Sequence, residues 1–183
     1  FPGTTLVQEG AGSTVTANGV TGSYVDIISQ IVYNEMSSTM HPEAMKAQAI
    51  AAYTYIMFNG GSVNNVILKP NPPQNVIDAV SAVAGQALYY DGSYALTVYG
   101  ASSGGATASA ADIWGRQYDY LVSVPSEYDA EYDPYYGVVT YMSVDEVRSR
   151  IQNAYGVSLS ANPSNWIRLE VGDSGYVRSV NID

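Results

Sequence analysis

The stretch from Glu35 to Ile56 reads EMSSTMHPEAMKAQAIAAYTYI, and its reading decides the fold. It opens with a carboxylate at the end of one amphipathic segment, breaks at Ser37-Ser38-Thr39, and resumes as a proline-started, alanine-rich run. Proline suits a first helical turn because the N–H it lacks would have no intrahelical acceptor there. Thr39 or His41 can cap this helix, and Glu43 lies near the positive end of its dipole. Small residues at nearly every inward turn predict a helix from Pro42 to about Phe58 in a tight core, ending at Gly60-Gly61. Glu35 is then fixed just outside that core, where a carboxylic acid is a candidate catalytic acid.

Upstream, Tyr24, Val25, Ile27, Ile28, Ile31, Val32 and Tyr33 recur at three- and four-residue spacing, which predicts a helix from about Ser23 to Met36. Residues 1–22, mostly Gly, Thr, Ser and Ala, read as an N-terminal extended arm or strand, and residues 23–183 as one domain. Downstream, an Asn- and Pro-rich connector from Ser62 to Asn75 leads to a third helix, about Asn75 to Ala84, ending at Gly85. Asp91-Gly92 between Gln86–Tyr90 and Ser93–Tyr99 is a strong hairpin signal. A Ser143 cap with Glu146 three residues on forms a capping box for a helix reaching Gly156. Strands from Trp166 to Val171 and from Tyr176 to Ile182 join through Asp173-Ser174-Gly175. Helices early and hairpins late predict an α+β fold, a helical core packed against antiparallel β hairpins.

Composition narrows the function. Without cysteine and with His41 as the one histidine, a disulfide framework is excluded and a structural zinc site is not expected; no metal or other cofactor is called for. A net charge of −10 argues against a nucleic-acid partner, because no phosphate-neutralising patch is available. No run is long and apolar enough for a membrane span. The first residue is Phe1, not Met, which reads as the mature part of a longer product. Seventeen tyrosines against two phenylalanines suit either a tyrosine-rich surface or sugar recognition, since tyrosine joins a flat apolar face to a polar edge.

Asn34-Glu35-Met36, the run Pro42-Glu43-Ala44-Met45-Lys46-Ala47-Gln48-Ala49-Ile50-Ala51-Ala52, Thr54-Tyr55, Ala79-Val80 and Gly85-Gln86-Ala87-Leu88 are followed by Tyr99, Ser102-Ser103-Gly104-Gly105, Thr107, Trp114-Gly115 and Tyr120-Leu121. In that order they resemble the SpoIID/LytB domain family, from about Tyr24 to Ile182. The resemblance implies an extracytoplasmic, cell-envelope protein whose partner is the glycan strand of peptidoglycan. Its sporulation members look like lytic transglycosylases that cut the β-1,4 bond between N-acetylmuramic acid and N-acetylglucosamine. Others are amidase enhancers, which modify a second cell-wall hydrolase. The family's catalytic glutamate falls on Glu35 and its lysine on Lys46.

One carboxyl suffices for that chemistry if it protonates the leaving oxygen and then takes the proton of the attacking C6 hydroxyl. Tyr33, Met36 and Met40 could desolvate Glu35 and raise its pKa. Lys46, Tyr53, Tyr99 and the Ser102, Ser103, Gly104 and Gly105 loop are the candidate substrate contacts. Each has a plainer reading: a solvated helix-end glutamate, a solvated lysine, a half-buried strand tyrosine, a tight turn. His41 reads as a helix-entry residue and Trp114 as core. Three departures from the family stand out. Tyr53 replaces the arginine of its Ala-Ala-Arg-Thr-Tyr run, the connector is rebuilt, and the closing Ser-Gly-Arg reads Ser174-Gly175-Tyr176. Tyr53, the rebuilt connector and the acidic surface favour the alternative, a noncatalytic wall-binding or amidase-enhancing module.

Overall fold

The computed structural model describes residues 2–10 and 12–182; Phe1, Ala11 and Asp183, and with them the reading of the chain's first residue, lie outside the described residues. The fold is α+β, in two compact units that meet in sequence at Tyr99 and Gly100.

In the first unit the aliphatic spacing read from the sequence makes helix α1, Tyr24–Glu35, whose Ile27, Ile28, Ile31 and Val32 are all buried. Each such side chain contributes about 1.5–3 kcal/mol by leaving water. Ser23 starts the helix by accepting the Asp26 N–H on its hydroxyl. Helix α2, Pro42–Phe58, turns Met45, Ala49, Ala52, Tyr53 and Ile56 into the same core. His41 caps it: Nδ1 accepts the Glu43 N–H at 3.2 Å, so any proton on a neutral ring sits on Nε2. A third helix, α3, Gln74–Ser81, adds Val76, Ala79 and Val80.

Two small sheets flank these helices. Residues of the expected arm form β1, Thr4–Gln8, β2, Thr14–Ala17, and β3, Val20–Ser23. Strand β2 pairs antiparallel with β3 and parallel with β4, Ser62–Val63. Strand β1 pairs antiparallel with β5, Gln86–Tyr90, which pairs in turn with β6, Ser93–Tyr94. Asp91 and Gly92 both have positive φ, as a two-residue hairpin turn requires. The second strand of that hairpin, expected to run to Tyr99, stops at Tyr94. Beyond it Thr97 turns its hydroxyl to the Ala51 carbonyl of α2 at 2.7 Å, so a tie to the helix replaces the ladder. Thr54 completes the joint between layers, donating to the Ile50 carbonyl at 2.7 Å and accepting the Leu88 N–H at 3.0 Å.

The second unit holds α4, Ala110–Trp114, α5, Asp129–Tyr132, α6, Val144–Tyr155, and the hairpin of β7, Ile167–Val171, with β8, Val177–Ile182. Its buried apolar residues are Ala110, Ile151 and Trp166. Trp114, expected in the core, is 53% exposed. It is the last residue of a single-turn helix that Gly115 closes in the left-handed region, and the buried tryptophan is Trp166. The capping box is half formed: Ser143 accepts the Glu146 N–H, while the Glu146 carboxylate is engaged by Arg150 at 2.7 Å.

Candidate functional site

Glu35 ends α1 as an exposed residue. Its carboxylate accepts a hydrogen bond from the Asn34 side-chain amide at 3.2 Å, and among the described residues it makes no ion pair. Tyr33 and Met36 are half-buried and Met40 is 47% exposed, so the apolar enclosure expected from them is not closed around it. The backbone beside it is braced: the Met36 N–H returns to the Val32 carbonyl, and Asn75 donates to the Ser38 carbonyl at 2.7 Å. That last bond pins the turn between α1 and α2 to the start of α3.

Tyr99 is the predicted contact whose electrostatics involve Glu35. Burial pushes its hydroxyl up to about 12, and the negative charge of Glu35 and then Tyr55 add to the shift. It is therefore a hydrogen-bond donor at neutral pH. The residue as a whole is 39% exposed.

Lys46 is already paired. Its ammonium lies 2.7 Å from Glu43 one turn back on α2. Such partly exposed pairs at this spacing are weak and easily exchanged, so Lys46 stays available to an incoming oxygen.

Tyr53 lies in the core with no exposed surface. Its ring meets Tyr24 edge-on at 4.8 Å, and its hydroxyl donates to Glu9 at 2.8 Å. A direct contact between Tyr53 and a sugar is incompatible with this burial. Glu9, which the sequence reading passed over, is the hub here: Tyr89 and Tyr94 also donate to it, each at 2.5 Å. Burial pulls its pKa up, but the hydroxyls of Tyr89, Tyr94 and Tyr53 outweigh that and hold the carboxyl below its ordinary value. One signal pointed to it: Glu9 is the only charged residue before Asp26.

The Ser102 to Gly105 loop belongs to the second unit, where its polar groups are bonded to other residues of the same unit. Ser102 donates to Asp133, Ser103 to Asp129 at 2.6 Å, and the Gly105 N–H to Asp129 at 2.9 Å. Ser126 adds a third donor to Asp129, whose pKa falls to about 2 under the Ser103 and Ser126 hydroxyls and the Gly105 amide. Tyr176 sets its hydroxyl against the carbonyls of Ser103 and Ala106, at 2.5 and 2.8 Å. Gly104 and Gly105 both have positive φ, which gives the loop its tight turn.

A surface depression of about 570 Å³ opens between α1 and the Pro70-Asn71-Pro72 segment, lined also by Val25, Asp26 and Ile77. None of the predicted site residues lines it. Among the described residues no group of carboxylates and histidine is placed to hold a metal, and no helix is long and apolar enough to cross a membrane.

Residues 21–109 match the family model described as stage II sporulation protein, SpoIID. A relative named amidase enhancer, from Bacillus subtilis (strain 168), is 30% identical over 99 residues, which cover 51% of this chain. The chain spans about 14% of the length of that relative. The family match takes in α1, α2, α3 and β5 and ends just past the Ser102 to Gly105 loop. With Glu35, Lys46 and that loop all inside it, residues 21–109 belong to the SpoIID family.

Proposed function

We propose that this protein acts on peptidoglycan in the cell envelope as a lytic transglycosylase, with Glu35 as its acid and base. The observation that carries the reading is the position of Glu35: an exposed carboxylate without an ion pair on a braced helix end, electrostatically coupled to the Tyr99 hydroxyl. In this scheme the protonated carboxyl gives its proton to the glycosidic oxygen as the bond to the anomeric carbon breaks. The C6 hydroxyl of the same muramic acid then attacks that carbon, and the Glu35 carboxylate takes its proton. The products are a free hydroxyl on one sugar and a 1,6-anhydro ring on the other, with no water consumed. Glu35 must begin protonated, and a glycan lying over it supplies the water exclusion that the free protein leaves open. Tyr99 donates to a substrate oxygen, and Lys46 can exchange Glu43 for an acetamido or carboxylate oxygen.

A second reading has its own support. The curated relative is named an amidase enhancer, Tyr53 is buried where the family carries an arginine, and the hydroxyls of Ser102 and Ser103 are bonded within the second unit. A noncatalytic module that binds wall polymer and modifies another hydrolase would need none of these groups free. Digestion of purified glycan strands, with and without stem peptides, separates the two. The wild type is expected to release anhydro-muropeptides visible by mass spectrometry, and Glu35→Gln to release none while still binding sacculi. Binding without any anhydro product from the wild type would establish the second reading.

A further inference from the structure

The stretch from Gln117 to Val147 contains no lysine, arginine or histidine. Within it, Glu127, Asp129, Glu131 and Asp133 are interleaved with Tyr128, Tyr132, Tyr135 and Tyr136, and Tyr141 follows. The structure divides the labour among these residues. Asp129 and Asp133 face inward and anchor the segment: Asp129 takes the hydroxyls of Ser103 and Ser126 and the Gly105 N–H, and Asp133 takes Ser102 and the Tyr135 N–H. The rings are thereby turned out. Tyr128, Tyr132, Tyr135 and Tyr141 are 69%, 72%, 70% and 90% exposed, and Glu127 and Glu131 are exposed beside them. Tyr128, which precedes α5 as its N-cap, and Tyr132, its last residue, have ring centroids 6.3 Å apart.

Large rings left in water next to carboxylates that no lysine or arginine pairs among the described residues, with Glu131 bonded only to the Tyr132 hydroxyl, are an unusual surface for a monomer. An anionic polymer would be repelled from it. A guanidinium or ammonium is attracted both by the carboxylates and by the negative faces of the rings, and arginine can additionally stack on them. We propose that the exposed Glu127 to Tyr141 segment docks a cationic segment of a partner polypeptide along its length, with Glu127 and Glu131 pairing its charges and Tyr128, Tyr132 and Tyr141 stacking on them. The proposal does not depend on Glu35 being catalytic, and loss of one leaves the other standing.

The probe is the blocked peptide acetyl-(Arg-Gly)3-amide, titrated into the ¹⁵N-labelled chain at low salt. The shifted amides should cluster between Ser126 and Met142. Glu127→Gln/Glu131→Gln should weaken binding about tenfold or more, as expected when close charge pairs are lost. Tyr128→Ser/Tyr132→Ser/Tyr141→Ser keeps every charge and should weaken it by a similar factor, while Asp78→Asn/Asp91→Asn, which removes as much charge from the first unit, should change it less than twofold. An unchanged tryptophan emission spectrum verifies that the variants are folded, since Trp166 is the buried tryptophan of the same unit. Equal weakening by the Asp78/Asp91 control, or amide shifts scattered over the chain, would reduce the effect to net charge and overturn the proposal. Chitotetraose shifting the same amides while the arginine peptide does not would overturn it in favour of a glycan platform.

Discussion

Two tyrosines, one in each unit, are used differently. Tyr53 sits in a core of three helices and gives its hydroxyl to the Glu9 carboxylate. Tyr176 sits at the turn of a two-stranded hairpin and holds its one hydroxyl hydrogen between two loop carbonyls. A guanidinium is always charged and has five donors to satisfy, whereas a phenol is neutral at physiological pH and needs one acceptor. Tyr53 can therefore be fully buried, and Tyr176 ties down backbone that has little core beneath it. The same contrast runs through both units: residues up to Tyr99 hold together by interlocked aliphatic and alanine packing, and residues from Gly100 on by hydroxyl and backbone N–H ties to the carboxylates of Asp112, Asp129 and Asp133.

The largest effect should come from breaking the packed unit. Ile28 has no exposed surface and lies amid the cluster of α1, α2 and α3. Ile28→Ala should cost about 2–5 kcal/mol, the usual range for a truncated buried aliphatic. Val139→Ala in the second unit, where Val139 is 67% exposed, should stay within about 0.5 kcal/mol. Amide hydrogen exchange reads the first unit, and tryptophan emission reads the second, because Trp114 and Trp166 both lie there. Comparable losses from both substitutions would erase the contrast.

A middle-sized effect should come from the Glu9 hub. Tyr53→Phe keeps the ring and removes one of three donors to a partly buried carboxylate, which should cost roughly 1–2 kcal/mol. Glu9 also predicts a pH dependence. Its folded pKa lies below its unfolded one, so its contribution is complete above the unfolded value and is lost as pH falls through the folded value. The wild type should therefore lose protection of the β1 and β5 amides in mildly to strongly acid solution. Glu9→Gln should start less stable at neutral pH and show a shallower acid loss. An unchanged acid slope in that variant would mean that the three tyrosines do not hold a carboxylate.

How much of this was legible beforehand follows the same division. The α1 and α2 helices, the Asp91-Gly92 hairpin and the α6 helix are local patterns, fixed by periodicity, a capping residue or a turn dipeptide, and sequence displays those directly. Glu9 with Tyr53, Tyr89 and Tyr94 is a contact among residues 44 to 85 positions apart, which no local pattern encodes. The engagement of Ser102 and Ser103 depended on Asp133 and Asp129 for the same reason. Glu35 was readable as a position and not as an environment: its place at a helix end follows from the break after Met36, whereas its exposure depends on how Tyr33, Met36 and Met40 pack. Trp114 was misplaced because a bulky aromatic raises the expectation of burial, and a helix of one turn offers too little length to direct it inward.

The smallest effect compares one device in two settings. Ser23 and Ser143 each accept, at 3.2 Å, the N–H three residues on, at the starts of α1 and α6. Replacing either by alanine should cost about 1 kcal/mol in the chain as a whole. The local consequence should differ. Helix α1 is held along its length by Tyr24, Ile27, Ile28, Ile31 and Val32, so after Ser23→Ala its first-turn amides should stay protected. Helix α6 buries only Ile151 among its own residues and leans on the Arg150–Glu146 and Arg148–Asp145 pairs, so after Ser143→Ala the amides from Val144 to Val147 should exchange several-fold faster. Fraying is resisted by tertiary packing more than by surface ion pairs, which are individually worth little. Equal acceleration at both helix starts would show that α1 is no better anchored than α6, and that the contrast between the two units stops short of their helix ends.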